Sequence, residues 1–156
     1  MKNIYTLTLF MLLFSFSSAI NAQELDFYNT QWLSDGTNGS NTSLSVDEGT
    51  TITVYSKAYE AGVTDAAGQG AGIECWIGFN SADTDPASWD ESAWQVANFG
   101  QDNGNDDEYN YSTSSTAVGT HYIATRWRLD SGPYTYGGAS ATNGGAWDGV
   151  NNKNIG

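Results

Sequence analysis

Helical periodicity is nearly absent along the chain. Runs rich in Val, Ile, Thr and Tyr recur about every ten to twenty residues, separated by clusters of Gly, Asn, Asp and Ser, the pattern of antiparallel strands joined by turns. It predicts strands near residues 27–33, 43–46, 50–59, 73–80, 94–99, 108–113 and 120–129, with a weaker one near 134–136. Residues 45–49, Ser-Val-Asp-Glu-Gly, read as a turn that feeds a long strand. About seven or eight short strands of this kind make an all-β, immunoglobulin-like antiparallel β-sandwich. No internal repeat is visible.

Alternation divides each strand into two faces. In 50–59, Ile52, Val54 and Ala58 are expected inside and Thr51, Thr53, Tyr55, Lys57 and Tyr59 outside. In 73–80 the inner set is Ile73, Cys75, Ile77 and Phe79, with Glu74, Trp76 and Gly78 opposite. In 120–129, His121, Ile123, Thr125, Trp127 and Leu129 face inward and Tyr122, Ala124, Arg126 and Arg128 outward. Were these strands neighbours, one outer face would gather Tyr55, Tyr59, Trp76, Tyr122, Arg126 and Arg128. Cross-strand aromatic pairing that stabilises the sheet accounts for such a face, as does a covering loop or domain; a binding role is the alternative.

Residues 1–22 read as a secretory signal peptide: Lys2 at the start, an apolar run from Leu7 to Phe16, and a small-x-small ending at Ala22. The run is shorter than the roughly 20 residues that span a bilayer. The expected mature chain starts at Gln23, is secreted or displayed at the cell surface, and inserts in no membrane after cleavage. It divides into a sandwich module over 23–150 and, at 151–156, a tail or the start of a truncated continuation into further domains.

Composition narrows the partners. The 156 residues carry 18 Asp and Glu against 5 Lys and Arg, a net charge of −13; loss of Lys2 leaves 18 acidic and 4 basic groups, or −14. Nucleic-acid binding rests on Lys and Arg neutralising phosphates, so DNA and RNA are excluded as expected partners, and anionic lipid surfaces likewise. The single Cys precludes an intrachain disulfide, and with one His it precludes the usual Cys/His zinc sites. At 13% aromatic residues, the chain is not of disordered composition.

Three segments could carry chemistry. Residues 101–108 place Asp102, Asp106, Asp107 and Glu108 beside Asn103 and Asn105, an oxygen-rich set of the kind calcium prefers. The spacing is not that of an EF-hand, and a polar Asn-Gly hairpin explains the same residues. Residues 62–72 hold four Gly without the Gly-Lys-Ser/Thr ending of a phosphate cradle; Asp65 would join a cation site only if this loop lay beside the first. Trp89 and Trp94 flank a polar connection over 80–94, and Tyr134, Tyr136 and Trp147 stand in Gly-rich surroundings. Rings so placed can serve as sugar platforms, with Asp, Asn and Arg taking the hydroxyls, or simply as packed core. Catalysis finds poor support: His121 falls on an inner face and no Ser sits in a nucleophile elbow.

A series of short motifs carries a resemblance. Gly62-Val-Thr-Asp65, the Gly-rich run 68–73, Trp76-Ile-Gly-Phe79, Thr84-Asp-Pro86 with Trp89, and Asn105-Asp-Asp-Glu-Tyr109 are followed by Gly119-Thr-His-Tyr122, Arg126 and the run 132–138. Together they resemble an immunoglobulin-like accessory module of unassigned role in secreted, multidomain, Bacteroidetes-like bacterial proteins, covering about residues 43–150. The Ala22-Gln23 junction suits that source. The layout is also loosely similar to starch-binding modules. The resemblance implies a non-catalytic extracellular accessory module; the surplus of aromatics among polar loops points to a polysaccharide or cell-surface glycan as its partner, with Trp89, Trp94, Tyr134, Tyr136 and Trp147 as the expected platforms. The alternative is a structural or adhesive spacer of a cell-surface protein, stiffened by calcium at Asp102, Asp106, Asp107 and Glu108.

Overall fold

The computed structural model describes residues 23–37, 39, 42–114 and 117–156; the expected signal peptide lies outside them. Among the described residues are nine strands: β1 (Phe27–Ser34), β2 (Thr51–Tyr59), β3 (Ile73–Asn80), β4 (Trp94–Val96), β5 (Asn98–Asn103), β6 (Asp106–Ser114), β7 (Tyr122–Leu129), β8 (Thr135–Gly138) and β9 (Gly145–Ala146). They form two antiparallel sheets, ordered β1-β2-β6-β5 and β4-β3-β7-β8-β9. The architecture is the expected all-β sandwich.

The period-two pattern fixes which residues meet between the sheets. From the five-stranded sheet come Ile73, Cys75, Ile77, Ile123, Trp127 and Leu129, and from the other Leu33, Val54, Ala58 and Tyr109, all buried. Trp127 stands edge-on to Tyr109 at 5.3 Å, a geometry aromatic quadrupoles favour. Several polar groups in this interior are paired across the sheets, although the Tyr109 hydroxyl is buried without a hydrogen-bond partner among the described residues. Thr125 Oγ1 donates to the Asn29 carbonyl at 3.1 Å and Thr30 Oγ1 to the Gly137 carbonyl at 2.9 Å, tying β1 of one sheet to the other along one side.

Three expectations need correction. Residues 43–46 form no strand; they line a cavity at one end of the sandwich and have no partner strand. The strand expected over 94–99 is two. The chain leaves the five-stranded sheet after Val96 and enters the other at Asn98, with Ala97 N–H donating to the Cys75 carbonyl at 2.9 Å at the crossing. The 101–108 segment, by contrast, is the polar hairpin that its turn residues predict, Asn103 pairing with Asp106 across Gly104-Asn105. Gly104 takes φ 73°, the left-handed conformation that glycine adopts without Cβ strain in such turns. Residues 151–156 are knit into the sandwich: Ile155 pairs with Ile123 and Lys153 with Ala139, and Ile155 is buried in the core.

Candidate functional site: the outer face of the five-stranded sheet

Register places one transverse row across the outer face of the five-stranded sheet. Val96, Trp76, Arg126 and Tyr136 are successive cross-strand partners on β4, β3, β7 and β8. Trp147 extends the row, its N–H donating to the Tyr136 carbonyl at 2.8 Å. On one side of the row lies the pair Gly78–Ala124, and on the other Glu74–Arg128. The small pair matters because the 80–94 connection folds back over it. That connection makes two 3-10 turns, Pro86–Ser88 and Glu91–Ala93. The first is capped by Asp85, whose carboxylate accepts from Ala87 N–H, and carries Pro86 at its start.

Trp94 and Trp89 stack on one another at 5.4 Å and 27° and lie against Gly78, where a Cβ would stand 2.6 Å from the Trp94 ring. Trp89 Nε1 donates to Thr84 Oγ1 at 3.1 Å. Together with Ala124 these rings form a second small core, packed by Trp76, Tyr122 and Tyr136. Trp89 and Trp94 are only 8% and 7% exposed, so they offer no open ring face to a sugar. They are the support on which the exposed part of the face rests.

Arg126 is the centre of the face. Its guanidinium lies 4.2 Å from the Tyr134 ring, 4.8 Å from Trp94 and 4.9 Å from Trp76, and the residue is 3% exposed. Glu91 on the second turn receives both terminal nitrogens, at 2.6 and 2.7 Å, a bidentate arrangement suited to guanidinium and carboxylate. These hydrogen bonds hold the Glu91 carboxyl below its ordinary pKa. Arg128, next along β7 on the same face, donates from Nε to Glu74 Oε2 at 2.6 Å, which raises its pKa further. Its guanidinium stands 5.3 Å from Tyr134 and 5.4 Å from Trp76. Trp76 and Tyr134 meet edge-on at 5.5 Å.

Tyr134 reaches this position from the turn after β7, where Asp130 and Ser131 both take positive φ, 47° and 62°. Two consecutive non-glycine residues there are uncommon. Tyr134 is 40% exposed, while Trp76, Tyr136 and Trp147 are half-buried. Trp147 rests over Gly149 and leads into a loop closed by Asp148, whose Oδ1 accepts the N–H groups of Val150, Asn151 and Asn152 at 2.8, 2.7 and 2.9 Å. Those donors bring the Asp148 pKa down to about 2.

All five residues expected as sugar contacts therefore come to one face. Tyr55 and Tyr59 do not join it, because β2 belongs to the other sheet; there Tyr55 packs on Trp32 at 5.5 Å. Trp76, Glu74, Arg126 and Arg128 belong to the face although no loop motif marks them; the alternation along β3 and β7 is the signal that finds them. Glu91 carries no such signal.

The four acidic residues expected to hold calcium do not converge. Strand alternation turns Asp107 inward and Asp106 and Glu108 to the other side. Asp106 pairs with Lys57 at 2.6 Å, and Glu108 accepts from Gln101 Nε2 at 3.3 Å. Asp102 accepts from Gly68 N–H at 3.0 Å, and Asp107 from Gly70 N–H at 2.7 Å. The Gly-rich loop thus does lie beside Asp102 and Asp107, but its backbone N–H groups bond both oxygens of Asp102 and Oδ2 of Asp107, and Asp65 bonds its own turn at Gly62 N–H instead. Burial raises the Asp107 pKa, the nearby Asp102 and Asp106 charges adding to it. Among the described residues no group of three or more His, Cys, Asp and Glu side chains is placed to hold a metal ion.

A cavity of about 740 Å³ opens at one end of the sandwich. Leu33, Leu44, Ile52, Phe79, Tyr111 and Ile123 supply its apolar lining. His121 stands at its edge, bonded through Nε2 to the Ala117 carbonyl oxygen at 3.2 Å.

No known protein family, curated protein or solved structure matches this chain.

Proposed function

We propose that this chain is a non-catalytic, extracellular accessory module that binds carbohydrate on the outer face of its five-stranded sheet. The observation that carries the reading is the juxtaposition of Tyr134 and the edge of Trp76 with the Arg128–Glu74 pair, on a floor of stacked indoles. A pyranose presents an apolar C–H face and a rim of hydroxyls. An accessible ring beside a charged donor and acceptor matches both. Rings fixed by packing also lose little freedom when a ligand docks. Tyr136 and Trp147 extend the surface along the row toward β9.

Affinity electrophoresis against soluble starch, xylan and other glucans tests the reading. Retardation by at least one of them is expected, weakened about tenfold or more by Tyr134→Ala, as truncation of a central aromatic contact typically does. Migration unchanged by every polysaccharide would remove carbohydrate from the account. Export, through cleavage at Ala22-Gln23, is checked separately by mass spectrometry of the chain recovered outside an expressing bacterium.

A further inference from the structure

The charge arrangement on this face carries the reading one step further, to the class of sugar; the inference rests on the carbohydrate-binding reading above. We infer that the site takes neutral glycans and rejects those built of uronic acids, and that Glu74 sets this preference.

Apart from Lys2, the basic residues are Lys57, Arg126, Arg128 and Lys153, and Arg126 and Arg128 both lie on this face. Two arginines beside aromatic rings would ordinarily favour a carboxylate, since guanidinium binds carboxylate bidentately. Here each is already matched by an acid. Glu91 fills both terminal nitrogens of Arg126, which is buried and presents no outward donor. Glu74 contacts Arg128 through Nε alone. The terminal nitrogens of Arg128 and the second oxygen of Glu74 make no hydrogen bond among the described residues.

What remains open beside Tyr134 and Trp76 is one donor group and one acceptor group, side by side. Arg128 is half-buried and the Glu74 side chain 41% exposed, so both are reachable. A pair of neighbouring sugar hydroxyls satisfies such a pair, one accepting from guanidinium and the other donating to carboxylate. A uronic acid carboxylate can use the Arg128 donors, but it then lies against the Glu74 charge. Like charges at that range on a partly desolvated surface oppose binding strongly, and the net charge of −13 adds a longer-range, salt-screened repulsion.

The test compares wild type, Glu74→Gln and a control, Glu48→Gln, which removes one charge at an exposed position outside the site. Each is run by affinity electrophoresis and calorimetry against neutral polysaccharides (starch, xylan, mannan) and against polygalacturonate and alginate, in about 0.15 M salt, where the Debye length is about 8 Å. Expected is wild-type binding to a neutral glycan, with binding to the polyuronates at least about tenfold weaker. Glu74→Gln should gain polyuronate binding by about tenfold and lose several-fold on the neutral ligand, while Glu48→Gln changes neither. Wild-type binding to polyuronates as tight as to neutral glycans would overturn the inference and leave the carbohydrate reading standing. So would neutral binding with no gain of polyuronate in Glu74→Gln, or an equal gain in Glu48→Gln. Binding to no glycan of either class overturns both. Circular dichroism melting of each variant shows that it is folded.

Discussion

Gly78→Ala is the most direct probe of how the candidate face is built. Gly78 sits in β3 between Trp94 on β4 and Ala124 on β7. An added Cβ would stand 2.6 and 2.7 Å from Cζ3 and Cε3 of Trp94, and 3.0 Å from Cε3 of Trp89. Carbon atoms rest about 3.5–4.0 Å apart, so the Trp94 ring must retreat by about 1 Å. Its retreat is opposed by Trp89, Tyr136 at 5.8 Å and Arg126 at 4.8 Å. Overpacking of this kind costs about 1–3 kcal/mol, and loosening an aromatic pair about 0.5–1.5 kcal/mol more. Gly78 is not in the left-handed region, so its backbone accepts alanine, and the lost chain entropy of glycine returns about 0.5–1 kcal/mol. The balance is a destabilisation of about 1–3 kcal/mol, or a fall in Tm of roughly 4–12 °C for a domain of this size. Differential scanning calorimetry measures the shift, and near-ultraviolet circular dichroism should show the indole signal diminished. An unchanged or higher Tm with the indole signal intact would mean that the rings do not rest on the sheet. In an open strand the same substitution has the opposite sign, so the result discriminates.

Three further outcomes follow from the interior and the hairpin. Burial raises the Asp107 pKa, so the folded chain takes up this proton before the unfolded one does. Its contribution to stability is then largest below the ordinary carboxylate pKa, about 4, and falls as pH rises through the raised value. Chemical denaturation of Asp107→Asn should accordingly show the variant gaining on wild type as pH rises from about 4 to 7; a difference flat with pH would refute the assignment. Cys75 is fully enclosed and its thiol pKa is pushed far up by burial, Ser56 Oγ lying 3.6 Å from the sulfur. An aromatic disulfide reagent at pH 8 should react only at the rate of unfolding, and rapid stoichiometric reaction would contradict the packing. Because Asp102, Asp106, Asp107 and Glu108 are engaged separately, Tm in EDTA and in millimolar calcium should agree within about 1 °C; a rise of several degrees would show that a cation gathers them.

The face assignments were legible in the sequence because alternation is a local property. Ile73, Cys75 and Ile77, and Ile123, Trp127 and Leu129, are buried as the period of two requires. Which strands share a sheet was not legible. Nothing in the sequence of 50–59 says that β2 pairs with β1 and β6 rather than with β3, so Tyr55 and Tyr59 appeared to belong with Trp76. The break at Ala97 was equally hidden, since 94–99 alternates without a Pro or Gly before Gly100. Only the need for β4 to pair with β3 and β5 with β6 divides it. Counting acids in 101–108 misled for a related reason: on a pleated strand adjacent carboxylates point to opposite faces, so a dense acidic run in a hairpin disperses its charge.

The same logic explains how an acid-rich chain sustains a buried arginine. Arg126 is covered by Trp76, Trp94 and Tyr134 and by the turn bearing Glu91. Enclosing a guanidinium without an anion costs several kcal/mol, whereas ring faces and a bidentate carboxylate offset much of that. The turn at 91–93 can lie down only if Trp94 and Trp89 have room beneath it, and Gly78 provides that room. One glycine in β3, two indoles, one arginine in β7 and one exposed glutamate thus depend on one another in sequence. Gly78, the 89–94 segment and Arg126 are too far apart along the chain to be recognised as one motif. Their consequence is that Arg126, buried and held at both terminal nitrogens by Glu91, is structural, and that the recognition chemistry of the face falls to its neighbour Arg128, which Glu74 satisfies at a single nitrogen.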